Sequence, residues 1–186
     1  MIKLIHKEDC CGCNACGDIC SQGAISYITD NEGFLYPEIN TSKCTQCNYC
    51  EKICPIINIS DIKNNDLDSP ICYAAENKNM EILFDSTSGG LFSALADSIY
   101  KDNGYVGGAI FNQDLSVSQY ISNDKDDLPR LRSSKYLQSD AREFYINVKK
   151  YVKSGQKVLV CGTPCQMAAL RTFLGKNQIP PPEVVV

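Results

Sequence analysis

Cys10-Cys11-Gly12-Cys13-Asn14-Ala15-Cys16-Gly17-Asp18-Ile19-Cys20 is the stretch on which the reading of this chain turns. Its cysteines at 10, 13, 16 and 20 follow the spacing Cys-x2-Cys-x2-Cys-x3-Cys. The same spacing returns at Cys44, Cys47, Cys50 and Cys54, with Pro55 next in line. Three thiols with two residues between each converge from one tight loop. The fourth lies on the following helical turn, where it reaches the other half of the repeat.

This spacing, occurring twice, is the one that holds two cubane iron–sulfur clusters in bacterial ferredoxins. The expected ligand sets are crossed: Cys10, Cys13, Cys16 and Cys54 for one [4Fe–4S] cluster, Cys44, Cys47, Cys50 and Cys20 for the other. Crossing ties together two halves that have little core of their own. Structural zinc, which completes four-ligand tetrahedra from cysteine pairs, fits two three-cysteine loops poorly. Ser21 follows Cys20 where a proline is usual, yet Gln22-Gly23-Ala24-Ile25 still reads as a turn into a strand. Cys11 breaks no spacing and reads as a spare thiol. His6, the sole histidine, reads as a surface or packing residue.

The rest of the composition narrows the class. The chain has 186 residues, 44% hydrophobic and 22% charged, as expected for a globular protein. Its apolar runs are too short for a spanning helix. Met1–Cys10 lacks a signal core, which points to a cytoplasmic protein. Twelve cysteines in that setting are better explained as ligands, reactive thiols or core residues than as a disulfide framework. Net charge is −4, but residues 131–186 hold nine Lys and Arg against three Asp and Glu. An acidic chain argues against nucleic acid as partner. The basic final third suits an acidic cofactor or substrate, although Lys149, Lys150 and Lys153 read as a solvated helix face.

Nine of the twelve cysteines precede residue 55, so composition alone divides the chain. Residues 1–58 form a cysteine-rich module, 59–70 a polar linker, 71–176 a second domain and 177–186 a tail. The expected fold class is α+β, a ferredoxin-like 2[4Fe–4S] module followed by a partial α/β domain. In the second domain Ile71–Ala75 reads as a strand. A helix then runs from Ser88-Gly89-Gly90 to about Asp102, with Leu91, Leu95 and Ile99 on one face and Gly104 as its cap. Tyr105–Asn112 and Leu115–Ser122 read as paired strands, and Ser139–Lys153 as a helix. Lys157–Cys161 reads as a buried strand, and Gly162-Thr163-Pro164 as a turn into a helix that ends at Gly175. Cys72 and Cys161 fall on strand patterns and are expected in the core. Cys165, at a helix N-terminus, is expected to carry a lowered thiol pKa.

Three blocks follow the cysteines in order: Ser86-Thr87-Ser88-Gly89-Gly90, Ser134-Lys135-Tyr136-Leu137-Gln138-Ser139, and Gly162-Thr163-Pro164-Cys165-Gln166 with Ala169-Leu170-Arg171 behind it. In this order they resemble the coenzyme F420 hydrogenase/dehydrogenase β-subunit family, which includes 7-hydroxymethyl chlorophyll a reductase. The resemblance covers about residues 1–176. It implies an oxidoreductase that joins hydride chemistry at FAD to one-electron steps through the clusters. Ser88, Gly89, Gly90, Lys135, Gly162, Thr163, Pro164 and Cys165 are its candidates for the flavin and substrate site. The implied partners are a ferredoxin-like redox protein and a hydride carrier such as F420, with no catalytic acid or base singled out. Family members continue past the last block, so this chain reads as C-terminally truncated. A non-catalytic electron carrier with a partner-binding appendage is the competing reading.

Overall fold

The computed structural model describes residues 2–4, 6–62 and 72–175. The former linker beyond Ile62, the start of the expected first strand at Ile71 and the tail 177–186 lie outside them. The N-terminal module is built twice over. Each cysteine loop leads into a short helix, α1 (Ala15–Asp18) and α2 (Tyr49–Ile53), and the two helices pack together. Between them lies the antiparallel hairpin β1 (Ile25–Thr29) and β2 (Leu35–Ile39). Asp30 closes its turn by accepting the backbone N–H groups of Glu32 and Phe34, both at 3.0 Å. A further short helix, α3 (Ile59–Ile62), stands where the composition suggested only linker.

The second part is a mixed sheet between two layers of helices. Chain order there runs α4 (Met80–Phe84), α5 (Leu91–Lys101), β3 (Tyr105–Phe111) and β4 (Val117–Ser122). It continues with α6 (Leu128–Leu131), β5 (Ser139–Asp140), α7 (Phe144–Lys153), β6 (Val158–Val160) and α8 (Pro164–Leu174). The sheet order is β5-β4-β3-β6. β3 pairs antiparallel with β4 and parallel with β6, and β5 runs parallel to β4. Side chains alternate across it as the two-residue strand period requires. Val106, Ile110 and Leu159 join Ala96, Leu128 and Leu131 on the α5/α6 face. Ile121, Val158 and Val160 lean the other way, onto Phe144, Tyr145, Val148, Leu170 and Phe173 of α7 and α8. Gly107 permits this second layer, since a Cβ there would stand 3.1 Å from the Phe144 ring.

Several expectations are corrected. Residues 72–75 form no strand, and Cys72 is exposed rather than core. The helix expected from Ser139 begins at Phe144, because Ser139 and Asp140 are drawn into the sheet beside Val117 and Ser118. Leu91 is 47% exposed, and the buried side of α5 is carried by Ser93 and Ala96 with Phe92, Leu95 and Ile99 beside them. Asn103, at φ 54°, takes the left-handed turn after α5 that was expected of Gly104. Only Leu159 of β6 is fully buried, and Cys161 is half-buried.

The module and the second part share one core. Cys13, Ala15, Cys16 and Ile53 of the module pack in the same cluster as Ala141, Phe144, Tyr145, Ala169 and Phe173. Among the described residues no helix is long and apolar enough to cross a membrane.

Candidate metal centres and their surroundings

Both cysteine loops fold by the same device. The residues before and after the middle cysteine are left-handed: Gly12 (φ 64°) and Asn14 (φ 62°) in the first loop, Gln46 (φ 56°) and Asn48 (φ 61°) in the second. Asn is among the few side chains that visit this region readily. Two such residues flanking one cysteine curl each loop tightly, so that its three thiols come round one hollow.

Two cavities result. One is lined by Cys10, Cys11, Cys13, Cys16 and Cys54. The other is lined by Cys20, Cys44, Cys47 and Cys50. The fourth cysteine of each run thus stands with the first three of the other. Among the described residues no three Cys, His, Asp or Glu side chains close to the geometry of a single ion.

The two hollows differ in exposure. Cys13, Cys16 and Cys54 are buried and Cys10 half-buried, whereas Cys47 is exposed and Cys20, Cys44 and Cys50 are half-buried. Burial pushes the Cys16 thiol up to about 12 and the Cys10 thiol up as well. Backbone N–H donation from Tyr49, against slight burial, holds Cys47 below the usual thiol value. A buried thiolate set needs a cationic centre to offset its desolvation, and four irons with sulfide supply one. A second observation fits the same group. The amide Nδ2 of Asn14, in the loop that forms the buried hollow, is itself buried without a hydrogen-bond partner. Buried donors of this kind are seldom left unmatched, and a cluster sulfur is a suitable acceptor.

Hydrogen bonds lock the buried hollow to the second part. Asn14 Oδ1 accepts from Ala141 N at 2.7 Å. Tyr145, fully buried, donates its hydroxyl to the Cys13 carbonyl at 2.7 Å. Asp18 accepts the N–H groups of Glu143 (2.7 Å) and Tyr145 (3.0 Å), capping α7 from a residue far away in sequence. Burial outweighs those donors and raises its carboxyl to about 6. Gln138 accepts from Leu35 N at 2.7 Å and donates back to the Leu35 carbonyl at 3.3 Å. Tyr27 braces the loop itself, donating to the Asn14 carbonyl at 2.7 Å and accepting from Gly17 N at 2.9 Å. None of these five residues was singled out from the sequence. Asn14 alone carried a signal, since Asn48 occupies its equivalent place in the second run.

Of the candidates implied by the resemblance, Gly162, Thr163, Pro164 and Cys165 follow the carboxyl end of β6, and Ser88, Gly89 and Gly90 lead into α5. Gly90 is the N-cap of α5, left-handed at φ 69°, and Gly89 packs on the Ala75 carbonyl. Ser88 is exposed beside them. Gly162, Thr163, Pro164 and Cys165 form the turn from β6 into α8, closed by a reciprocal capping pair between Thr163 and Gln166. Lys135 sits near Cys161 and donates its Nζ to the carbonyls of Arg130 (2.7 Å) and Arg132. Arg132 in turn reaches Ser93 Oγ in the first turn of α5 at 3.0 Å. The two motif blocks of the final third are joined by a buried bond, Gln166 Nε2 to Ser139 Oγ at 2.8 Å.

Cys165 departs from expectation. Its thiol is raised, not lowered, foremost by a hydrogen bond with Cys11 and then by burial, which outweigh Thr163 Oγ1 at 3.1 Å and the Gln166 backbone.

Comparison with known families agrees with the N-terminal geometry. Residues 9–57 match the model of the 4Fe-4S dicluster domain. This part of the chain is an iron–sulfur, ferredoxin-like module, and it suits the protein to electron transfer. Among curated proteins none matches the chain.

Proposed function

We propose that the chain carries electrons through two [4Fe–4S] clusters, one held by Cys10, Cys13, Cys16 and Cys54 and one by Cys44, Cys47, Cys50 and Cys20. The observation that carries this reading is the pairing of each fourth cysteine with the opposite loop around its own cavity. Bound there, the clusters supply one-electron storage. The protein's part is to hold eight thiolates in place, to exclude water from the buried hollow and to leave the other open. The half-exposed set around Cys47 suits a docking redox protein of ferredoxin type. The buried set, bound to α7 through Asn14, Asp18 and Tyr145, suits exchange with the second part.

What that second part exchanges is the finer element of the proposal. Pro164 opens α8 just past the carboxyl end of β6, in the parallel β3–β6 pair, the usual place for a ligand in such sheets, and Gly90 caps the N-terminus of α5. The backbone N–H groups of both helix starts favour an anion. Together with the resemblance of the three motif blocks, this supports FAD there, with a hydride carrier such as F420 as its substrate. Ser88, Gly89, Gly90, Lys135, Gly162, Thr163, Pro164 and Cys165 are the residues to hold them.

Iron, acid-labile sulfide and flavin measured on one anaerobically prepared sample test both elements. About eight irons and eight sulfides per chain are expected, with about one FAD. Zinc in place of iron overturns the electron-transfer reading. Eight irons with no flavin, even after incubation with excess FAD, leave an electron carrier and overturn the flavin element alone.

A further inference from the structure

The side-chain amide of Asn14 has its two ends in different surroundings. Its oxygen accepts from the backbone N–H of Ala141 at 2.7 Å. An N–H group only donates, so the oxygen is the end that faces Ala141 and the NH2 end is turned elsewhere. That end, Nδ2, is buried and has no hydrogen-bond partner among the described residues. Asn14 itself is 2% exposed and lines the hollow of Cys10, Cys13, Cys16 and Cys54. Little freedom is left for the amide to turn. The Asn14 carbonyl accepts from the Tyr27 hydroxyl at 2.7 Å and from Gly17 N at 3.1 Å. Ala141 is fully buried and directly follows the pairing of Asp140 with Ser118. Two residues earlier, Ser139 Oγ accepts from Gln166 Nε2 at 2.8 Å, and Gln166 Oε1 accepts from Thr163 N at 3.0 Å. The segment that orients Asn14 is thus held by the start of α8.

We propose that Asn14 Nδ2 donates to a sulfur of the cluster held by Cys10, Cys13, Cys16 and Cys54, and so raises that cluster's reduction potential. The proposal rests on the electron-transfer reading above. One-electron reduction adds negative charge to the cluster, so a donated N–H stabilises the reduced form more than the oxidised one. Burial strengthens the effect, because little water competes for the sulfur. Asn48, the equivalent residue of the second loop, is exposed, and water is at hand there instead. Since Ala141 sets the direction of the Asn14 amide, docking of the second part helps set the potential of the buried cluster.

The full, iron-loaded chain is poised at graded potentials and read by paramagnetic resonance, with iron counted on the same samples. The first cluster's signal is the one that Cys10→Ala alters. Asn14→Gly keeps the left-handed backbone without the amide, and is expected to lower the first potential while leaving the second unmoved. The reduction equilibrium should shift about tenfold, or about 59 mV for one electron. A loosened junction alone would admit water, whose own donors hold the potential up. An unchanged or higher first potential therefore overturns the proposal. A second measurement leaves Asn14 in place. Protein made with asparagine labelled with nitrogen-15 in the side-chain amide alone is examined by pulsed paramagnetic resonance. A nitrogen-15 coupling to the reduced first cluster is expected, and it should persist in Asn48→Gly. Its absence overturns the proposal, even where Asn14→Gly has lost iron and its potential cannot be read. Low iron in the wild-type chain overturns the electron-transfer reading and this proposal with it. Full iron without the coupling overturns the proposal alone.

Discussion

Asn14 Oδ1 and the backbone N–H of Ala141 meet at 2.7 Å, joining the middle of the first cysteine loop to the segment that leads into α7. Asn14 is only 2% exposed and left-handed, so one residue shapes the loop's curl, ties it to the second part and keeps a buried Nδ2 without a protein partner beside the first cysteine set. Substitutions separate these roles. Asn14→Gly keeps the backbone conformation but leaves the Ala141 N–H unpaired, at about 1–3 kcal/mol. Asn14→Ala adds the left-handed penalty of roughly 1–2 kcal/mol. Urea unfolding followed by far-ultraviolet circular dichroism is expected to rank wild type above Gly and Gly above Ala. Equal stability of all three would remove Asn14 from the junction.

Crossing of the ligand sets makes a pairwise prediction. Cys54→Ala is expected to alter the same cluster as Cys10→Ala, and Cys20→Ala the same one as Cys47→Ala. Paramagnetic resonance of the reduced variants distinguishes the two signals. In each variant the perturbed cluster falls to three irons or is lost, leaving about four to seven of the eight irons. If Cys54→Ala and Cys47→Ala perturb one signal, the sets are uncrossed.

Removing iron is expected to loosen the second part as well as the module. Ala141, Glu143 and Tyr145 have their N–H groups held by Asn14 and Asp18, which flank the buried quartet. With the quartet unligated its thiolates lose their common centre, and the short α1 has little to keep it in place. Hydrogen exchange at these three amides should rise by at least tenfold after chelation. Amides of β3 such as that of Val106, buried in the separate cluster with Ala96 and Ile110, should change far less. Unchanged protection at Tyr145 would mean that the junction stands without the clusters.

How far the sequence revealed these features follows from the range of the interactions behind them. The cysteine runs were legible because ligand spacing is local. β3 and β4 were legible because their two-residue alternation is local too, and α8 because Thr163, Pro164 and Gln166 write its start within four residues. The start of α7 was misplaced because its cap, Asp18, lies in the other half of the chain. Ser139 and Asp140 read locally as helix, and only their pairing with Val117 and Ser118 makes them strand. Cys165 was expected to be acidified by its helix, and its encounter with Cys11 decided otherwise. Gln138 sat unremarked inside a quoted motif, since its partner Leu35 is set by the docking of two parts.

Gly12 and Gln138 supply the last prediction. A Cβ on Gly12 would stand 1.8 Å from Gln138 Nε2, and Gln138 is held there by both backbone bonds to Leu35. Gly12→Ala therefore costs the left-handed penalty of roughly 1–2 kcal/mol together with displacement of Gln138. Gln138→Ala alone loses two hydrogen bonds of about 1 kcal/mol each. In the double variant the clash is gone, and the alanine costs only its backbone strain. The two substitutions should then be less than additive, with a coupling of about 0.5–3 kcal/mol. The second loop provides the control: the equivalent residue is already a left-handed, exposed Gln46, so Gln46→Ala should change stability little. Strict additivity of Gly12→Ala and Gln138→Ala in urea unfolding would show that the glycine serves its loop alone and not the junction.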